Sequence, residues 1–315
     1  MVNIAIAGGT GDVANEVIDA LLAVKEHKVI IFTRSAPKDA APEVSWRTVN
    51  YEDKDDLVKA LSGVHTVLSF IQTISDVDQK SQRALIDASI VAGVKRFAPS
   101  EYSSARIDSM PFYAAKQKVR DYLKKVNENG KVLEYSLFQP GLFMDYLAFP
   151  HQTAKHVKPL KTVYDFENRR ALVVDGHEDA AFTLTTAKDF ATVLAKACGY
   201  QGEWPEVAGI QGNRVTVAQL LEIGARSRGK PFTVEKVHVQ DLEAGKLETS
   251  WALTERHRAV ADDPAENMVK MISIGLLLST SKGAWDGSDE LNRIFPDYKF
   301  TAIEDFLTDV WGGKP

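Results

Sequence analysis

The segment that most constrains the fold is A-G-G-T-G-D-V-A, which occupies residues 7–14. It follows a short apolar run, Val2–Ala7, that is typical of a buried parallel strand, and from Asp12 onward apolar residues recur at helical spacing. Gly8 and Gly11 would let the backbone approach a pyrophosphate, whose negative charge the start of a helix attracts. This strand–turn–helix unit predicts a dinucleotide-binding site, with a purely structural turn as the alternative.

Strands and helices alternate through the first half of the chain. Strands are predicted at Val2–Ala7, Lys28–Thr33, Val64–Ile71, Arg96–Pro99 and Val132–Phe138. Helices are predicted from Asp12, at Asp53–Leu61, at Val77–Ala92 and at Pro111–Asn129. The Asp-rich stretch D-K-D-D is expected to cap the second of these, and Gly93 and Gly130 follow the last two. Successive β-α-β units of this length predict an α/β fold of Rossmann type, a doubly wound parallel sheet with helices on both faces.

The pattern changes after Gly141. It indicates two strands joined by a charged turn, Thr162–Phe166 and Ala171–Val174, and two helices, Lys188–Ala197 and Val217–Arg226, followed by Gly199 and Gly229. We therefore predict a dinucleotide-binding domain over residues 1–145. Residues 146–315 are predicted to form a smaller α+β substrate lobe, with segments that return to the sheet edge.

The end of the second predicted strand carries a cofactor signal. An NAD enzyme usually places Asp or Glu there, about 20 residues after the glycines, to accept a hydrogen bond from the ribose 2′-hydroxyl. Here the strand ends in Phe32-Thr33-Arg34-Ser35 without a carboxylate, and Lys38 follows. Because a guanidinium can bind a phosphate through two hydrogen bonds, Arg34 and Ser35 predict the 2′-phosphate of NADP(H). The alternative is a solvated surface arginine.

Ligands of an open parallel sheet bind beyond the carboxyl ends of its strands. Three segments have that place in the predicted fold: Phe70-Ile71-Gln72, Pro99-Ser100-Glu101-Tyr102 and Gln139-Pro140-Gly141-Leu142-Phe143. We expect the first and the last to wall the pyrophosphate and the nicotinamide.

Lys116 is the predicted catalytic residue. On the Pro111–Asn129 helix it shares one stripe, at spacing i, i+4, i+7 and i+11, with Phe112, Val119 and Leu123. A lysine on an apolar stripe either extends its ammonium past its neighbours to water or serves a site. Desolvation in a site would lower its pKa and make proton transfer feasible.

Segments spread over nearly the whole chain resemble a known family. They are G-G-T-G-D-V-A, F-T-R-S, F-A-P-S-E-Y, K-Q-K-V-R, F-Q-P-G-L-F, F-T-L-T-T-A-K-D-F-A and L-N-R-I-F-P-D. Together they are similar to the NmrA-like, isoflavone-reductase-like group of atypical short-chain dehydrogenases, fungal members above all. The resemblance implies an NADP(H)-binding Rossmann domain, a smaller substrate lobe, and reduction of aromatic or other specialised metabolites. It also implies that Lys116 contacts the nicotinamide ribose and assists proton transfer.

The predicted cofactor-binding residues come from the glycine turn, the end of the second strand, the three sheet-edge segments and the helix lysine. They are Gly8, Thr10, Gly11, Asp12, Val13, Arg34, Ser35, Phe70, Ile71, Gln72, Pro99, Ser100, Lys116, Pro140, Gly141 and Phe143. Candidate substrate contacts are Tyr102, Tyr146 and His151, with His156 nearby in the sequence. The remaining histidines, among them His65, His177, His238 and His257, have no metal-ligand spacing, so no metal site is predicted.

The chain departs from the usual short-chain dehydrogenase motif Tyr-x-x-x-Lys. Phe112 stands four residues before Lys116, and Tyr113, three before it, is expected to point about 100° away along the helix. Loss of the tyrosine would leave the acid to lysine, water or substrate. Tyr102 and Tyr113 stay acid candidates, with packing as the alternative role.

These observations leave three functions open. The first is an NADPH-dependent reductase of a small aromatic or heterocyclic metabolite, with hydride from the nicotinamide. The second is a non-catalytic NADP(H) sensor that binds a regulatory protein, since the family includes such regulators. The third keeps the dinucleotide but catalyses a redox-neutral isomerisation or cyclisation.

Composition narrows the partners. A net charge of −5 without a long run of one sign argues against nucleic acid, and no stretch approaches the roughly 20 apolar residues of a membrane span. Cys198, the single cysteine, lies in an apolar helical pattern and is expected to be buried; a lone thiol also suits a reducing compartment, so a cytosolic location is predicted. A small-molecule substrate is expected, and both a monomer and a homodimer remain open.

Overall fold

The computed structural model describes residues 1–35, 44–251 and 265–314. Its largest sheet has six strands: β1 (Asn3–Ala7), β2 (Lys28–Thr33), β3 (Ser45–Thr48), β4 (Thr66–Ser69), β5 (Arg96–Ala98) and β6 (Glu134–Tyr135). They lie in the order β3-β2-β1-β4-β5-β6, and every neighbouring pair is parallel. The strand order reverses between β1 and β4, where a parallel sheet of this kind forms its ligand crevice. The predicted Rossmann-type fold is confirmed.

Helices connect these strands: α1 (Asp12–Val24), α2 (Lys54–Ala60), α3 (Lys80–Val91) and α4 (Ala114–Val126). Asp53 begins α2 as expected, because its carboxylate accepts hydrogen bonds from the backbone N–H groups of Asp55 and Asp56, both at 3.0 Å. Those N–H groups have no partner within the helix, so the carboxylate stabilises its first turn. The core of the sheet and its helices is apolar and includes Phe32 and Phe97, which are almost completely buried.

The described residues form two compact units, each assembled from three stretches of sequence. The first contains residues from 1–102, 113–139 and 190–208, and the second contains residues from 103–112, 140–189 and 209 onward. The six-stranded sheet and helices α1 to α4 belong to the first unit. The predicted division of function between residues 1–145 and 146–315 stays a prediction.

Short strands and the remaining helices complete the fold. The strands are β7 (Leu137–Gln139), β8 (Leu142–Phe143), β9 (Tyr164–Asp165), β10 (Arg170–Val174), β11 (Ala181–Thr185), β12 (Val207–Gly209), β13 (Asn213–Thr216) and β14 (Thr233–Val237). They pair in the orders β13-β11-β8, β14-β10-β9 and β12-β7. The helices are α5 (Ala187–Gly199), α6 (Val217–Arg228), α7 (Val239–Glu243), α8 (Ala265–Ser281), α9 (Glu290–Ile294) and α10 (Ile303–Trp311).

Two predicted features of the second unit are confirmed. The two strands expected around the charged turn are the antiparallel pair β9 and β10. Helix α6 begins with a capping box, in which Thr216 and Gln219 exchange side-chain and backbone hydrogen bonds, and it ends at Gly229 in the left-handed conformation.

Three boundaries differ from the sequence prediction for local reasons. The strand expected at Val132–Phe138 is split into β6 and β7 at Ser136, whose hydroxyl donates to the carbonyl of Pro205 at 2.6 Å. Helix α4 ends at Val126 rather than Asn129, because the Asn127 side chain accepts hydrogen bonds from the next segment, so Gly130 lies beyond the cap. Helix α5 includes Gly199, which was expected to follow it.

The helix starts also differ. The helix expected at Val77–Ala92 begins with a separate 3₁₀ turn, Val77–Gln79. The backbones of Asp78 and Gln79 are left-handed, so this turn does not continue directly into α3. The helix expected from Pro111 begins with a 3₁₀ turn, Pro111–Tyr113, before α4. A further 3₁₀ helix spans Met144–Ala148. No helix in the described ranges combines the length and the apolar character that a membrane crossing needs.

Candidate functional site

The glycine turn after β1 is shaped by contacts with the neighbouring strand end. Gly8 has a φ of 77°, and a side chain there would meet the Phe70 carbonyl carbon and oxygen at 2.7 Å. The Gly11 N–H donates to the Gly8 carbonyl at 3.2 Å and closes the turn. The fold therefore requires glycine at position 8, both for its backbone angle and for its closeness to β4.

Gly11 is a different case. It has a φ of −78° and is the N-cap of α1, to which it contributes no side-chain hydrogen bond. A Cβ at this position would contact the Gly8 oxygen at 3.5 Å, an ordinary van der Waals distance. The described residues would tolerate a methyl group there, and its absence leaves space in front of the α1 amino terminus. A phosphate fits such a place, because a helix start carries partial positive charge and a small residue permits close approach.

The other predicted residues of this turn surround that space. Thr10 is exposed, while Asp12 and Val13 are partly buried in the first turn of α1. A helix start preceded by small residues is the kind of place where backbone N–H groups can bind a phosphate.

Arg34 and Ser35 follow β2 in an exposed turn. The Thr33 hydroxyl donates to the Ser35 carbonyl at 2.7 Å and accepts from the Ser35 N–H at 3.3 Å, which organises the turn. The exposed Arg34 guanidinium is close enough to Tyr51 to oppose the rise that burial causes in the pKa of its hydroxyl. Arg34 is thus a solvent-accessible cation at the carboxyl end of β2. Lys38 lies outside the described residues.

A buried amide fixes the carboxyl ends of β4 and β5. The Gln82 side-chain oxygen accepts a hydrogen bond from the Ser69 hydroxyl at 3.3 Å and another from the Ser100 N–H at 3.1 Å. Its amide nitrogen donates to Gln79 at 3.1 Å. Ser100 is therefore held in place by its backbone. Gln82 was not predicted as a site residue. The feature that could have identified it is a polar side chain on the buried face of α3.

Aromatic side chains line the same edge. The rings of Phe70 and Tyr102 are stacked at 4.5 Å, and Phe190 contacts Tyr102 at 5.2 Å. The Tyr102 hydroxyl is buried, with no hydrogen-bond partner among the described residues. Burial, followed by the charges of Cys198 and Glu101, raises its pKa well above the usual value. Tyr102 therefore holds its proton, and its ring packs on Phe70. Ile71 is partly buried and Gln72 is exposed.

Lys116 lies in the first turns of α4 and is only 6% exposed. Its Nζ donates to the Glu101 carbonyl at 3.1 Å. Burial lowers the pKa of this ammonium to about 8; the Glu101 charge opposes that shift and the Arg120 charge adds to it. An amine with a pKa near neutrality can both donate and accept a proton under physiological conditions. The apolar stripe with Val119 and Leu123, both buried, is confirmed.

Two expectations about the neighbours of Lys116 were wrong. Phe112 is not on the α4 stripe, because α4 begins at Ala114 and Phe112 lies in the 3₁₀ turn before it. Tyr113 does not point away: its ring centroid is 4.4 Å from the Lys116 Nζ. On a helix, consecutive residues are about 100° apart around the axis, whereas residues three apart lie on the same face. The backbone of Tyr113, with φ −104° and ψ 1°, is also not helical, whereas the expectation had assumed a helix.

Glu101 and Arg120 complete the surroundings of this lysine. Glu101 is 1% exposed, and its Oε2 accepts from the Arg120 Nε at 2.9 Å and from its Nη2 at 2.5 Å. The other oxygen, Oε1, is buried and has no hydrogen-bond partner in the described part of the chain. The sequence placed Glu101 in a segment at the ligand edge but gave it no role, and Arg120, one helical turn after Lys116, was not predicted as a site residue.

Several predicted residues belong to the second unit. Gly141, with a φ of 75°, approaches the Thr183 carbonyl too closely for any side chain. The buried ring of Phe143 meets Tyr146 edge to face at 5.9 Å. His151 packs against Trp311 at 5.0 Å, and Pro140 is buried while His156 is partly buried.

Asp145 organises this region and was missed by the sequence analysis. Its carboxylate accepts hydrogen bonds from the Thr153 hydroxyl at 2.8 Å and from the Ala187 N–H at 2.7 Å. Because the Ala187 N–H is at the start of α5, the carboxylate joins the Met144–Ala148 helix to that helix. Hydrogen bonds to a carboxylate are stronger than those to a neutral acceptor.

The single cysteine and the histidines were also considered as candidate functional residues. Cys198 is buried as predicted, and burial raises the pKa of its thiol to about 12, which makes it a poor nucleophile. Within residues 1–35, 44–251 and 265–314, no three His, Cys, Asp or Glu side chains are grouped so as to hold a metal ion. His257 falls outside the described residues.

Two fungal proteins are similar to this chain over nearly its whole length. The oxidoreductase swnN of Metarhizium robertsii is 26% identical over an alignment of 338 positions, which covers 99% of this chain and 98% of that protein. The oxidoreductase BOA1 of Botryotinia fuckeliana is 28% identical over 306 residues, covering 94% and 95%.

The fold has solved counterparts. The NADPH-dependent quinone oxidoreductase of Escherichia coli, solved with NADPH, superposes with a TM-score of 0.67 at 21% identity, covering 98% of this chain and 100% of that one. The family described as NmrA-like matches residues 2–307, which confirms the predicted resemblance. The chain belongs to the NmrA-like family.

Proposed function

We propose that this protein is an NADPH-dependent oxidoreductase that reduces a small aromatic or heterocyclic metabolite, with Lys116 assisting proton transfer. The observation that carries the proposal is the buried Lys116, whose Nζ donates to the Glu101 carbonyl just after β5 and whose pKa is lowered to about 8. A sensor that only binds the dinucleotide has no need of a desolvated lysine at this edge of the sheet.

The chain's own residues fit NADP(H). The space in front of Gly11 and the amino terminus of α1 would hold the pyrophosphate, and the exposed Arg34 with Ser35 would hold the 2′-phosphate. The E. coli relative was solved with NADPH, and the two fungal relatives carry the name oxidoreductase, which supports the same assignment. The proposal includes further cofactor contacts from the glycine turn and the sheet-edge segments: Thr10, Asp12, Val13, Phe70, Ile71, Gln72, Pro99, Ser100, Pro140, Gly141 and Phe143.

NADPH, when bound, supplies the hydride for reduction. Lys116 would hold a proton at Nζ and release it to the oxygen or carbon that becomes basic as the substrate is reduced. The Glu101 carbonyl accepts one N–H of the ammonium and the Tyr113 ring faces it, so both orient the lysine. Because the ammonium is buried, water competes little for its hydrogen bonds.

Residues after about 145 are proposed to determine which substrate is accepted. The aromatic pairs Phe143–Tyr146 and His151–Trp311 belong to the second unit. Tyr146 and His151 are the partly buried members of these pairs, and they are the ones that a substrate ring could reach. A cytosolic location is part of the proposal and agrees with the buried free thiol of Cys198.

The test is single-turnover oxidation of NADPH with 1,4-benzoquinone, with related quinones and with aromatic acceptors. Lys116→Ala is expected to lower the rate about 10²–10⁴-fold, the usual contribution of a general acid or base, while NADPH affinity falls far less. Lys116→Arg should not restore the rate, because arginine does not release a proton near neutral pH. The matched control is Lys118→Ala, an exposed lysine of the same helix, paired with Asp78 at 3.7 Å, which should keep the native rate.

Two outcomes would contradict the proposal. Undiminished oxidation in Lys116→Ala would remove the lysine from the mechanism. Tight NADPH binding without oxidation by any acceptor would favour the non-catalytic sensor.

A further inference from the structure

Glu101 contacts two side chains of α4 from successive turns. Its backbone carbonyl accepts the Lys116 Nζ at 3.1 Å, and its carboxylate binds the Arg120 guanidinium through two N–H groups. Lys116 and Arg120 are four residues apart, so they lie one above the other on the same face of the helix. A single residue after β5 therefore holds the first two turns of α4.

The backbone of Glu101 is itself fixed. Its N–H donates to the Pro99 carbonyl at 2.8 Å, two residues back, which forms a tight turn directly after β5. Its side chain is 1% exposed and anchored to Arg120, which is 11% exposed. The turn sets the direction of the Glu101 carbonyl, and the ion pair prevents the segment from moving away from α4.

We propose that Glu101 and Arg120 are positioning residues for Lys116, holding the Glu101 carbonyl against its ammonium and acting on that ammonium with opposite charges. This inference rests on the proposed function, in which Lys116 moves the proton. The role differs from that of a simple structural ion pair, because each partner biases the protonation of a third group.

The electrostatics give the two partners opposite signatures. The Glu101 carboxylate favours the charged form of Lys116, and the Arg120 guanidinium disfavours it. The Tyr113 ring, from the turn before α4, also faces the ammonium. Glu101 Oε1 is buried without a hydrogen-bond partner in the described part of the chain, so little water screens the two charges from Lys116.

The experiment is an NMR titration of the Lys116 side chain in lysine-labelled protein, carried out without substrate. Glu101→Gln is expected to lower the pKa of Lys116 and Arg120→Met to raise it, each by about one pH unit, the low end of the shifts that a neighbouring charge causes. The Glu101→Gln/Arg120→Met double variant should return close to the native value, because both influences leave together. This double variant also avoids an unpaired buried charge, so it keeps the test valid if one single variant does not fold.

A second readout follows turnover. In single-turnover NADPH oxidation with 1,4-benzoquinone, the alkaline limb of the pH profile should move to lower pH in Glu101→Gln and to higher pH in Arg120→Met. NADPH affinity should stay within about threefold, roughly 0.65 kcal/mol. The matched control is Glu134→Gln, which alters another ion pair of the same sheet and should leave the Lys116 titration unchanged.

The outcomes separate this inference from the proposed function. If no acceptor is reduced but the two single variants shift the titration in opposite directions, the control of Lys116 by Glu101 and Arg120 holds and the reductase proposal fails. If reduction depends on Lys116 but the titration is unchanged, or moves the same way in both variants, the positioning role is overturned.

Discussion

The two edges of the six-stranded sheet each hold a buried arginine–glutamate pair, and the two pairs differ in how completely they are satisfied. At the amino edge, the Arg96 Nε donates to Glu134 at 2.8 Å, and its other nitrogens donate to the carbonyls of Tyr200, at 2.6 Å, and Gly202. The same Glu134 oxygen accepts from the Trp204 N–H at 2.9 Å, and the Arg96 guanidinium lies over the Trp204 ring. This pair is embedded in hydrogen bonds that join three segments of the chain.

The pair at the carboxyl edge is less complete. One Glu101 oxygen and the adjacent Tyr102 hydroxyl are buried without hydrogen-bond partners in the described part of the chain. Lys116, beside them, has a lowered pKa. Leaving buried polar groups unsatisfied costs about 1–3 kcal/mol each. At the carboxyl edge these groups stand beside Lys116, so we expect a ligand to engage them, whereas the unsatisfied ring of His27 at the amino edge lies outside the candidate site. The comparison predicts that substitutions at the amino edge reduce stability, while those at the carboxyl edge reduce binding or turnover.

The largest expected effect lies at the amino edge. Arg96→Met removes one partner of a largely buried ion pair and is expected to lower the free energy of unfolding by about 3 kcal/mol, the low end of the range for such pairs, because Glu134 then keeps only the half-exposed Lys131, at 3.6 Å. NADPH affinity of the folded variant should not change. Urea denaturation and calorimetric titration measure the two quantities, and Arg96→Met/Glu134→Gln should recover part of the loss. A variant of native stability that binds NADPH poorly would reverse the assignment of the two edges.

Arg34, at the carboxyl end of β2, should show the opposite behaviour. Arg34→Ala is expected to weaken NADPH binding by about 1.5–3 kcal/mol, the range of a lost charge-assisted contact, and to leave NADH binding and stability nearly unchanged because the side chain is exposed. Calorimetric titration with both dinucleotides measures the preference. Equal affinities for NADPH and NADH in the native protein would show that Arg34 does not select the 2′-phosphate.

Local signals explain how much was predictable from the sequence. The β1–turn–α1 unit, the Asp53 cap and the end of α6 at Gly229 were predicted because each depends on residues that are adjacent in the sequence. The split between β6 and β7 was not, because the hydroxyl of Ser136 finds its partner in the carbonyl of Pro205, far along the chain.

The site divides in the same way. Lys116 was found from its place on an apolar stripe. Glu101 was placed at the ligand edge, but its pairing with Arg120, 19 residues away, was not predicted, because periodicity within one element does not reveal contacts between elements. The position of Tyr113 was missed because the sequence pattern does not distinguish a 3₁₀ turn from the first turn of an α-helix.

The two glycines of the first turn sharpen the comparison within the carboxyl edge. Gly11→Ala should leave the free energy of unfolding unchanged or slightly higher, because its backbone angles suit alanine and no described atom lies closer than 3.5 Å to the new methyl group. NADPH affinity should fall about tenfold, roughly 1.4 kcal/mol, as the methyl occupies the space in front of α1. The control is Gly8→Ala, which should destabilise the fold because the new Cβ would meet the Phe70 backbone at 2.7 Å. If Gly11→Ala bound NADPH normally, the space at Gly11 would not be the pyrophosphate site.

The smallest expected effect concerns His27, which stands just before β2 at the amino edge. Both of its ring nitrogens are buried without hydrogen-bond partners among the described residues, and burial lowers its pKa, with Glu26 opposing the shift. Because the unfolded chain takes up a proton near pH 6.5 that the folded ring resists, stability should fall as the pH drops below that value. His27→Phe removes this proton uptake, so its Tm should decline less than that of the native protein between pH 7 and pH 5, by on the order of 1 °C. His65, whose pKa burial also lowers, remains in the variant and should retain part of the slope. Thermal unfolding of both proteins at pH 5, 6 and 7 measures the difference, and parallel curves would show that the His27 ring is solvated in the folded protein.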